Sequence, residues 1–409
     1  MFVGIDDTDS PNGMCTTFIC KMIMDELPPS CHIIDFPRLI RLNPNIPYKT
    51  RGNGALSFEV AGDPNIVVQK AKEIIKRYVV MHPNTNPGIV ILEDDVPIIL
   101  NEFYEHALHD HVAIEEAHSL AKELGARSLI YGNGRGLIGA LASIGAVLPD
   151  FTYELIAYRL PENIGKKRAI DKESVKKLDR KYYPLIFDSY DWHNDYLAIA
   201  PNAPCPVLYG LRGNDWRMLQ KASEMIISEP VFKSQIFLTN QATDAHIKDM
   251  PLGQLEEYMS VHSRAKVSGE PHYEHKGHVF FTIEDDTGEM ICAAYEPTKE
   301  FRNIVSQLIP GDEIEVWGGV KATDYGMTLN LEKIKIVDLV PIYANIVPLC
   351  CGRKMNSVGR EKGYRCKQCG IRIDQSDVSK RKVERASKLG LYEVPVIARR
   401  HLAKPISRI

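Results

Sequence analysis

The sequence predicts a chain of several domains: α/β over residues 1–230, all-β over 262–340, and a cysteine-centred ribbon with a basic helix over 345–409. Residues 231–261 read as the connection between the first two. Three observations predict this. At 409 residues the chain exceeds one ordinary core, so roughly two to four domains are expected. The apolar pattern mixes helical and strand periods up to about residue 230 and is almost pure strand from about 262 to 338. Four of the nine cysteines fall between Cys350 and Cys369, which suits a metal site better than a disulfide framework.

In the first region Phe2 to Ile5 is a short strand. Residues 15–27 form a helix with Cys15, Ile19, Met22, Ile23 and Leu27 on its apolar side, stopped by Pro28 and Pro29. "HIIDF", "ALSFEVAG" and "IVILED" are strands, while 66–80, "VPIILNEFYEHALHDHV" and "AIEEAHSLAKELG" are helical. The all-β region contains "HSRAKVSGE", "HVFFTIEDD", "MICAAYEP", "DEIEVWGGVK" and "MTLNLEKIKIV", with helix-like "EFRNIVSQL" between the third and fourth. Five strands with a helix at that place is the order of an oligonucleotide-binding (OB-fold) barrel, although a small barrel with no nucleic-acid role reads alike.

Apolar residues make up 44% and charged residues 25%, a globular composition. No run approaches about eighteen apolar residues, and the start lacks a basic segment followed by an apolar one, so neither a membrane partner nor a signal peptide is expected. The cysteine usage points to the cytoplasm. The net charge of −3 conceals an asymmetry. From Cys350 to Ile409 there are 16 basic and 5 acidic residues, a charge of +11, which leaves −14 on the rest. Such a tail suits nucleic acid, or is a solvated basic surface. Within it "SKRKVERASKLG" reads as a basic helix and "ARRHLAKPISR" as a second cationic strip.

"YRCKQCG" brings Cys366 and Cys369 round a tight turn onto one metal, as in a zinc knuckle. Upstream, Cys350 and Cys351 are adjacent instead of two residues apart. Adjacent side chains diverge, so both can bind one zinc only on an unusual backbone; otherwise a fourth ligand lies elsewhere or is missing. A redox dithiol is the rival reading.

The opening "GIDDTDSPNGMCTT" runs a strand directly into Asp6, Asp7, Thr8 and Asp9, with Thr16 and Thr17 close behind. Three close carboxylates repel unless protons or a cation join them, and Mg²⁺ is the natural cation for nucleotide phosphates. The same letters also make a good acidic turn. Two further stretches favour chemistry. "FPRLIRLNPNIPYKTRGNGAL" is a long polar loop carrying Arg38, Arg41, Lys49 and Arg51, of a kind that usually serves a ligand. "YGNGRGLIGA" sets Gly132, Gly134, Arg135, Gly136 and Gly139 before a helix, either to admit a phosphate or to let the helix pack tightly.

Taken with "YGLRGND", "TNQATDAH", "CGRKMNSVG" and "LGLYEVPVIARRHLAKP", these segments resemble, in order and over nearly the whole chain, the archaeal 2-agmatinylcytidine synthetases of the minor isoleucine tRNA. The resemblance implies a kinase-like domain, a ferredoxin-like domain, an OB fold and a zinc ribbon. It implies an ATP-dependent ligase that replaces the C2 oxygen of the wobble cytidine, position 34 of a CAU anticodon, with agmatine. The C2 carbonyl is activated by phosphorylation and agmatine displaces the phosphate, giving AMP and phosphate. Asp6, Asp7, Thr8 and Asp9 then lie near magnesium and the triphosphate, and Thr16, or failing it Thr17, is the threonine that takes phosphate. Lys49 and Arg51 rank above Arg135 as cations for the transferring phosphoryl group, with Gly134, Arg135 and Gly136 toward ATP. Cys351, Cys366 and Cys369 match the family's zinc ligands; Pro348 stands where the fourth is expected, and Cys350 is the available substitute. Asp215 and Asp244 are candidates for the agmatine pocket. The partners are the isoleucine tRNA, agmatine and ATP, with no protein partner evident. A non-catalytic tRNA-binding protein, and an RNA ligase or kinase using another amine such as lysine, are the alternatives.

Overall fold

A computed structural model describes residues 1–49 and 52–409. Its centre is the N-terminal strand Phe2–Asp6, which pairs antiparallel with Gly54–Ala61 on one side and Gly88–Leu92 on the other. Side chains alternate across a strand. Val3 and Ile5 enter a core with the helices Thr16–Glu26 and Pro64–Tyr78. Gly4 lies against Ala140 of the helix Gly136–Gly145, on the face that also buries Leu100 and Phe103 of Ile98–His109 and Leu120 of Ile114–Glu123. Asp6, the last residue of the strand, is therefore held between two helical layers.

The sheet continues through Arg38–Arg41 and Val231–Thr239, which pair in parallel, to Thr152–Arg159, Val207–Gly213 and Ile186–Phe187. The helices Lys172–Tyr182 and Trp216–Ser223 cover this far half through Val175, Leu178 and Leu219. Two expectations change here. Residues 231–261 are not simply a connection, because Val231–Thr239 is an inner strand with a partner on each side. Its first half is largely exposed, so its apolar pattern is weak. "HIIDF" supplies only the two-residue strand His32–Ile33.

The five expected barrel strands are Ser260–Val267, Val279–Asp285, Gly288–Ala294, Glu313–Thr323 and Gly326–Asp338. The first pairs with the second and the fourth, and the third runs parallel to the fifth, so the sheet closes. Phe301–Val305 is the helix between the third and fourth strands. This closed five-stranded order is that of an OB fold.

The basic C-terminal helix is absent among the described residues. Lys380–Val383 is instead an exposed strand paired with Ile342–Asn345. Its segment offers no continuous apolar stripe, and a short helix without one has nothing to hold it to the body. Gly390–Glu393 then adds to the barrel strand Gly326–Asp338. No helix among the described residues is long and apolar enough to cross a membrane.

Candidate active site and zinc centre

Asp7 follows the central strand with φ of 54° and turns the chain sharply. Its N–H donates to Asp6 Oδ1 at 2.7 Å. Asn86, from the loop before Gly88–Leu92, donates its N–H and Nδ2 to Asp7 Oδ2 at 3.0 and 3.2 Å. Thr85 Oγ1 donates to the Asp9 carbonyl at 2.9 Å, and the Asn133 N–H donates to Asn86 Oδ1 at 3.0 Å. Three separate stretches are thereby laced into one turn. Glycines within the helix Gly136–Gly145 let it approach. A Cβ on Gly139 would stand 1.9 Å from Asp6 Oδ2, and one on Gly136 would stand 2.4 Å from the Gly88 nitrogen.

Burial pushes the Asp6 carboxyl well above the usual range, with the charges of Asp7 and Asp9 adding to it. Burial likewise raises Asp7 to about 6, against the hydrogen bonds from Asn86. These carboxylates share a pocket with Tyr48, Lys49, His111 and Arg135, and Arg135 lies over the Tyr48 ring at 4.1 Å. Hard oxygen donors crowded in this way are a fitting ligand set for a dication beside phosphates.

Asp9 also lines a second cavity of about 380 Å³. Thr16 and Thr17 form one wall, and Cys15 Sγ is 3.1 Å from Thr17 Oγ1. Thr16 opens the helix Thr16–Glu26, where the helix dipole favours a negative group on its hydroxyl. Arg41, Glu154, Asp188, Arg212, Arg399 and His401 line the cavity as well. Arg212 is 3.7 Å from Glu154 and 3.5 Å from Asp188, and Arg399 bonds Asp188 from the C-terminal segment.

Of the residues singled out from sequence, Asp6, Asp7, Asp9, Lys49 and Arg135 line one pocket, and Thr16 and Thr17 face the adjoining one. Thr8 is fully buried and its hydroxyl has no hydrogen-bond partner. Gly136 stands against Gly88, and Gly134, at φ of 84°, stands beside His118; neither lines these cavities. Arg51 lies outside the described residues. Asp215 and Asp244 are engaged away from the cavities. Asp215 caps the helix Trp216–Ser223 through the Arg217 N–H, whereas Asp244 pairs with Lys333 and accepts from the Lys404 N–H. The strip "ARRHLAKPISR" is turned inward: Arg400 pairs with Glu332, and Lys404 and Arg408 with Asp150. Charge alone could not reveal those acidic partners. Asn86, Glu154, Asp188 and His401 were missed, and only the polar punctuation of "HPNTNPG" hinted at the first.

In the ribbon the sulfurs of Cys350, Cys351, Cys366 and Cys369 all lie within 4.8 Å of one another. Cys350 Sγ is 3.9 Å from Cys351 Sγ and 3.5 Å from Cys369 Sγ. Four thiolates about 2.3 Å from one tetrahedral ion stand roughly 3.8 Å apart, whereas a disulfide needs about 2.05 Å. The unusual backbone is present: Cys351 has φ of 49° and Gly352 of 72°. Amide donors from Cys369 and Gln368 lower the Cys366 thiol to about 6. Both adjacent cysteines thus join a four-sulfur site consistent with structural Zn²⁺.

These features define a multidomain protein with an OB fold, a zinc ribbon and a half-buried acidic site. Four family models match the chain: the TiaS TCKD domain over residues 2–67, the TiaS FLD domain over 134–246, an OB-fold nucleic acid binding domain over 261–337, and the TiaS C-terminal zinc ribbon domain over 347–386. The chain is 46% identical to TiaS of Archaeoglobus fulgidus, the 2-agmatinylcytidine synthetase of the minor isoleucine tRNA, over 100% of this chain and 97% of that one. It is 45% identical to the same synthetase of Pyrococcus horikoshii, over 99% and 96%. It superposes on a crystal structure of TiaS in complex with the minor isoleucine tRNA and ATP with a TM-score of 0.92 at 45% identity, covering 100% of this chain and 97% of that one. On the TiaS complex with that tRNA, AMPCPP and agmatine the TM-score is 0.88 at 42% identity, with the same coverage. The chain belongs to the family of 2-agmatinylcytidine synthetases of the minor isoleucine tRNA, and the resemblance carried by its motifs is borne out.

Proposed function

We propose that this chain joins agmatine to C2 of the wobble cytidine of the minor isoleucine tRNA, with ATP, to give 2-agmatinylcytidine. It is an ATP-dependent synthetase whose partners are that tRNA, ATP and agmatine. The observation that carries the reading is the shared Asp9 wall, which sets the half-buried carboxylates of Asp6 and Asp7 beside the cavity of Thr16 and Thr17. The N-terminal part acts as a kinase-like domain and the part around Thr152–Arg159 and Val207–Gly213 as a ferredoxin-like one. Work on tRNA suits the cytoplasm.

Asp6, Asp7 and Asp9 would hold Mg²⁺, which when bound neutralises the triphosphate. Lys49, Arg51 and Arg135 offset charge on the transferring phosphoryl group. Thr16 receives phosphate at a helix N-terminus. The cytidine leaves its stack to present the C2 oxygen, a step that is easier in a loop than in a duplex. Phosphorylation turns that oxygen into a leaving group. Agmatine is dicationic, and the second cavity, with Asp9, Glu154 and Asp188 on its walls, suits it better than Asp215 or Asp244 do. The test is ATP-dependent transfer of labelled agmatine to the minor isoleucine tRNA, with lysine as competitor. Label in the RNA that excess lysine does not dilute is expected; no transfer, or transfer of lysine instead, would overturn the reading.

A further inference from the structure

Three cavities meet at the polar loop, and Gly52 lines all of them. Two are accounted for above. The third, of about 530 Å³, is built from distant parts of the chain: Arg41 and Lys49 of the N-terminal region, Lys321 and Asn330 of the barrel, and Arg400 and His401 of the C-terminal segment. Among the described residues no acidic side chain lines it. Arg41 and His401 line both this cavity and that of Thr16, and their Nε and Nδ1 are buried without a hydrogen-bond partner. Arg400 is braced by Asn45 Oδ1 at 2.6 Å and Glu332 at 3.2 Å, which fixes its guanidinium. Crowding is felt at the rim: burial, then the positive charges of Arg400 and Lys321, bring Lys49 down to about 8. Converging cations, with the Arg41 Nε–H left without an acceptor, favour an anion.

We propose that this pocket seats a phosphodiester of the tRNA anticodon loop, adjacent to the nucleotide being modified. The inference rests on the function proposed above. A triphosphate with its dication is drawn to the carboxylates, whereas this pocket has none and is walled by the OB barrel. It shares Leu42, Ile46, Lys49, Gly52 and Asn53 with the acidic pocket. A strand that hands its base to the acidic site therefore passes its backbone here. Phosphate contacts of this kind set register, not sequence.

Lys321 is exposed on a barrel strand and lies outside the reacting groups, so Lys321→Ala and Lys321→Gln test the pocket without touching the chemistry. Affinity of the full chain for the minor isoleucine tRNA is measured between 50 and 200 mM salt, alongside ATP binding without RNA. Losing one phosphate contact should lower the log–log salt slope by about 0.7–0.9, so the deficit of the variant shrinks about threefold across that range. A neutral methylphosphonate scan of an anticodon stem-loop should find one position that weakens wild type and not Lys321→Ala. An unchanged slope, identical methylphosphonate profiles, or weakened ATP binding with tRNA affinity intact would overturn the proposal; the last result would assign the pocket to the nucleotide. Agmatine transfer by wild type in the same preparations judges the functional reading separately.

Discussion

Asp7→Asn separates what the acidic turn does to the fold from what it does for the reaction. Burial is the main reason that the Asp7 carboxyl rises from 3.8 to about 6. A rise of that size corresponds to about 3 kcal/mol between the two protonation states. The folded chain holds this proton to higher pH than the unfolded chain. Protonation therefore favours folding fully below about pH 4, and that advantage is lost as pH rises through about 6. At pH 7.5, with no divalent cation, the ionised turn opposes folding. Asparagine keeps the shape, and its carbonyl oxygen can still accept from the Asn86 N–H and Nδ2 that now bond Asp7 Oδ2. Allowing for poorer hydrogen bonds, a gain of about 1–2 kcal/mol remains, or roughly 2–8 °C in the melting of the N-terminal region. Thermal unfolding in EDTA from pH 4 to 8 measures it. The variant should melt above wild type at pH 7.5 and meet it near pH 4, magnesium should raise only wild type, and agmatine transfer should be lost. A variant no more stable than wild type at pH 7.5, or equally favoured at pH 4, would refute the reasoning.

Gly139→Ala should abolish or strongly reduce activity, because its Cβ would displace Asp6 Oδ2 from 1.9 Å away; barrel and ribbon spectra should stay unchanged. Thr16→Ala should lose protein-bound phosphate in ATP, read by intact mass; full phosphate on that variant would move the acceptor to Thr17. Cys351→Ser, or chelation, should release one zinc per chain and unfold the ribbon, while the N-terminal melting transition holds; retained zinc in Cys351→Ser would exclude this residue as a ligand. Arg385→Met removes the guanidinium that grips the fully buried Asp312 through both oxygens. Leaving that carboxylate unpaired should destabilise the barrel by about 3–5 kcal/mol, measured by urea unfolding.

Local order was legible wherever the pattern was periodic. The barrel strands and the helices after Pro64 and Ile98 stand where their apolar spacing put them. The site was legible only in fragments. Asp7 announces itself by its neighbours, but Asn86, which donates to it, sits 79 residues away in a stretch of turn-forming letters. Nothing local marks Glu154 or Asp188 as walls of one cavity, because their neighbours are ordinary strand and turn residues. The paired cysteines posed a sharper question. Sequence required an odd backbone, and the left-handed Cys351 supplies it. Within the basic tail, whose Lys380, Arg381 and Lys382 stay exposed, only the last strip departs from the expected cationic surface, and for a physical reason. A run of cations has the same composition whether it faces phosphate or the protein's own carboxylates, and here Arg399 meets the buried Asp188 while Lys404 meets the partly exposed Asp150.

That inward turn changes how the parts cooperate. Were the catalytic and RNA-binding regions separate beads, the reacting base and the acidic turn would be related only by linkers. Instead the C-terminal segment threads back through both. Lys333 of the barrel pairs with Asp244, Arg400 pairs with Glu332, and the Ala242 N–H donates to the His401 carbonyl at 2.8 Å. His246 stands 3.3 Å from Glu332 and is fully buried with it. Buried ion pairs add little net stability over apolar packing, but they admit few alternative registers. A seam made of them holds the barrel at one distance from Asp6. With the proposed phosphate pocket at that seam, the anticodon backbone would be positioned by Arg41 and His401, which also line the cavity of Thr16. An RNA seated out of register would then leave Lys49 and Arg400 facing no phosphate, while the cytidine C2 oxygen stood away from Thr16 and the acidic turn.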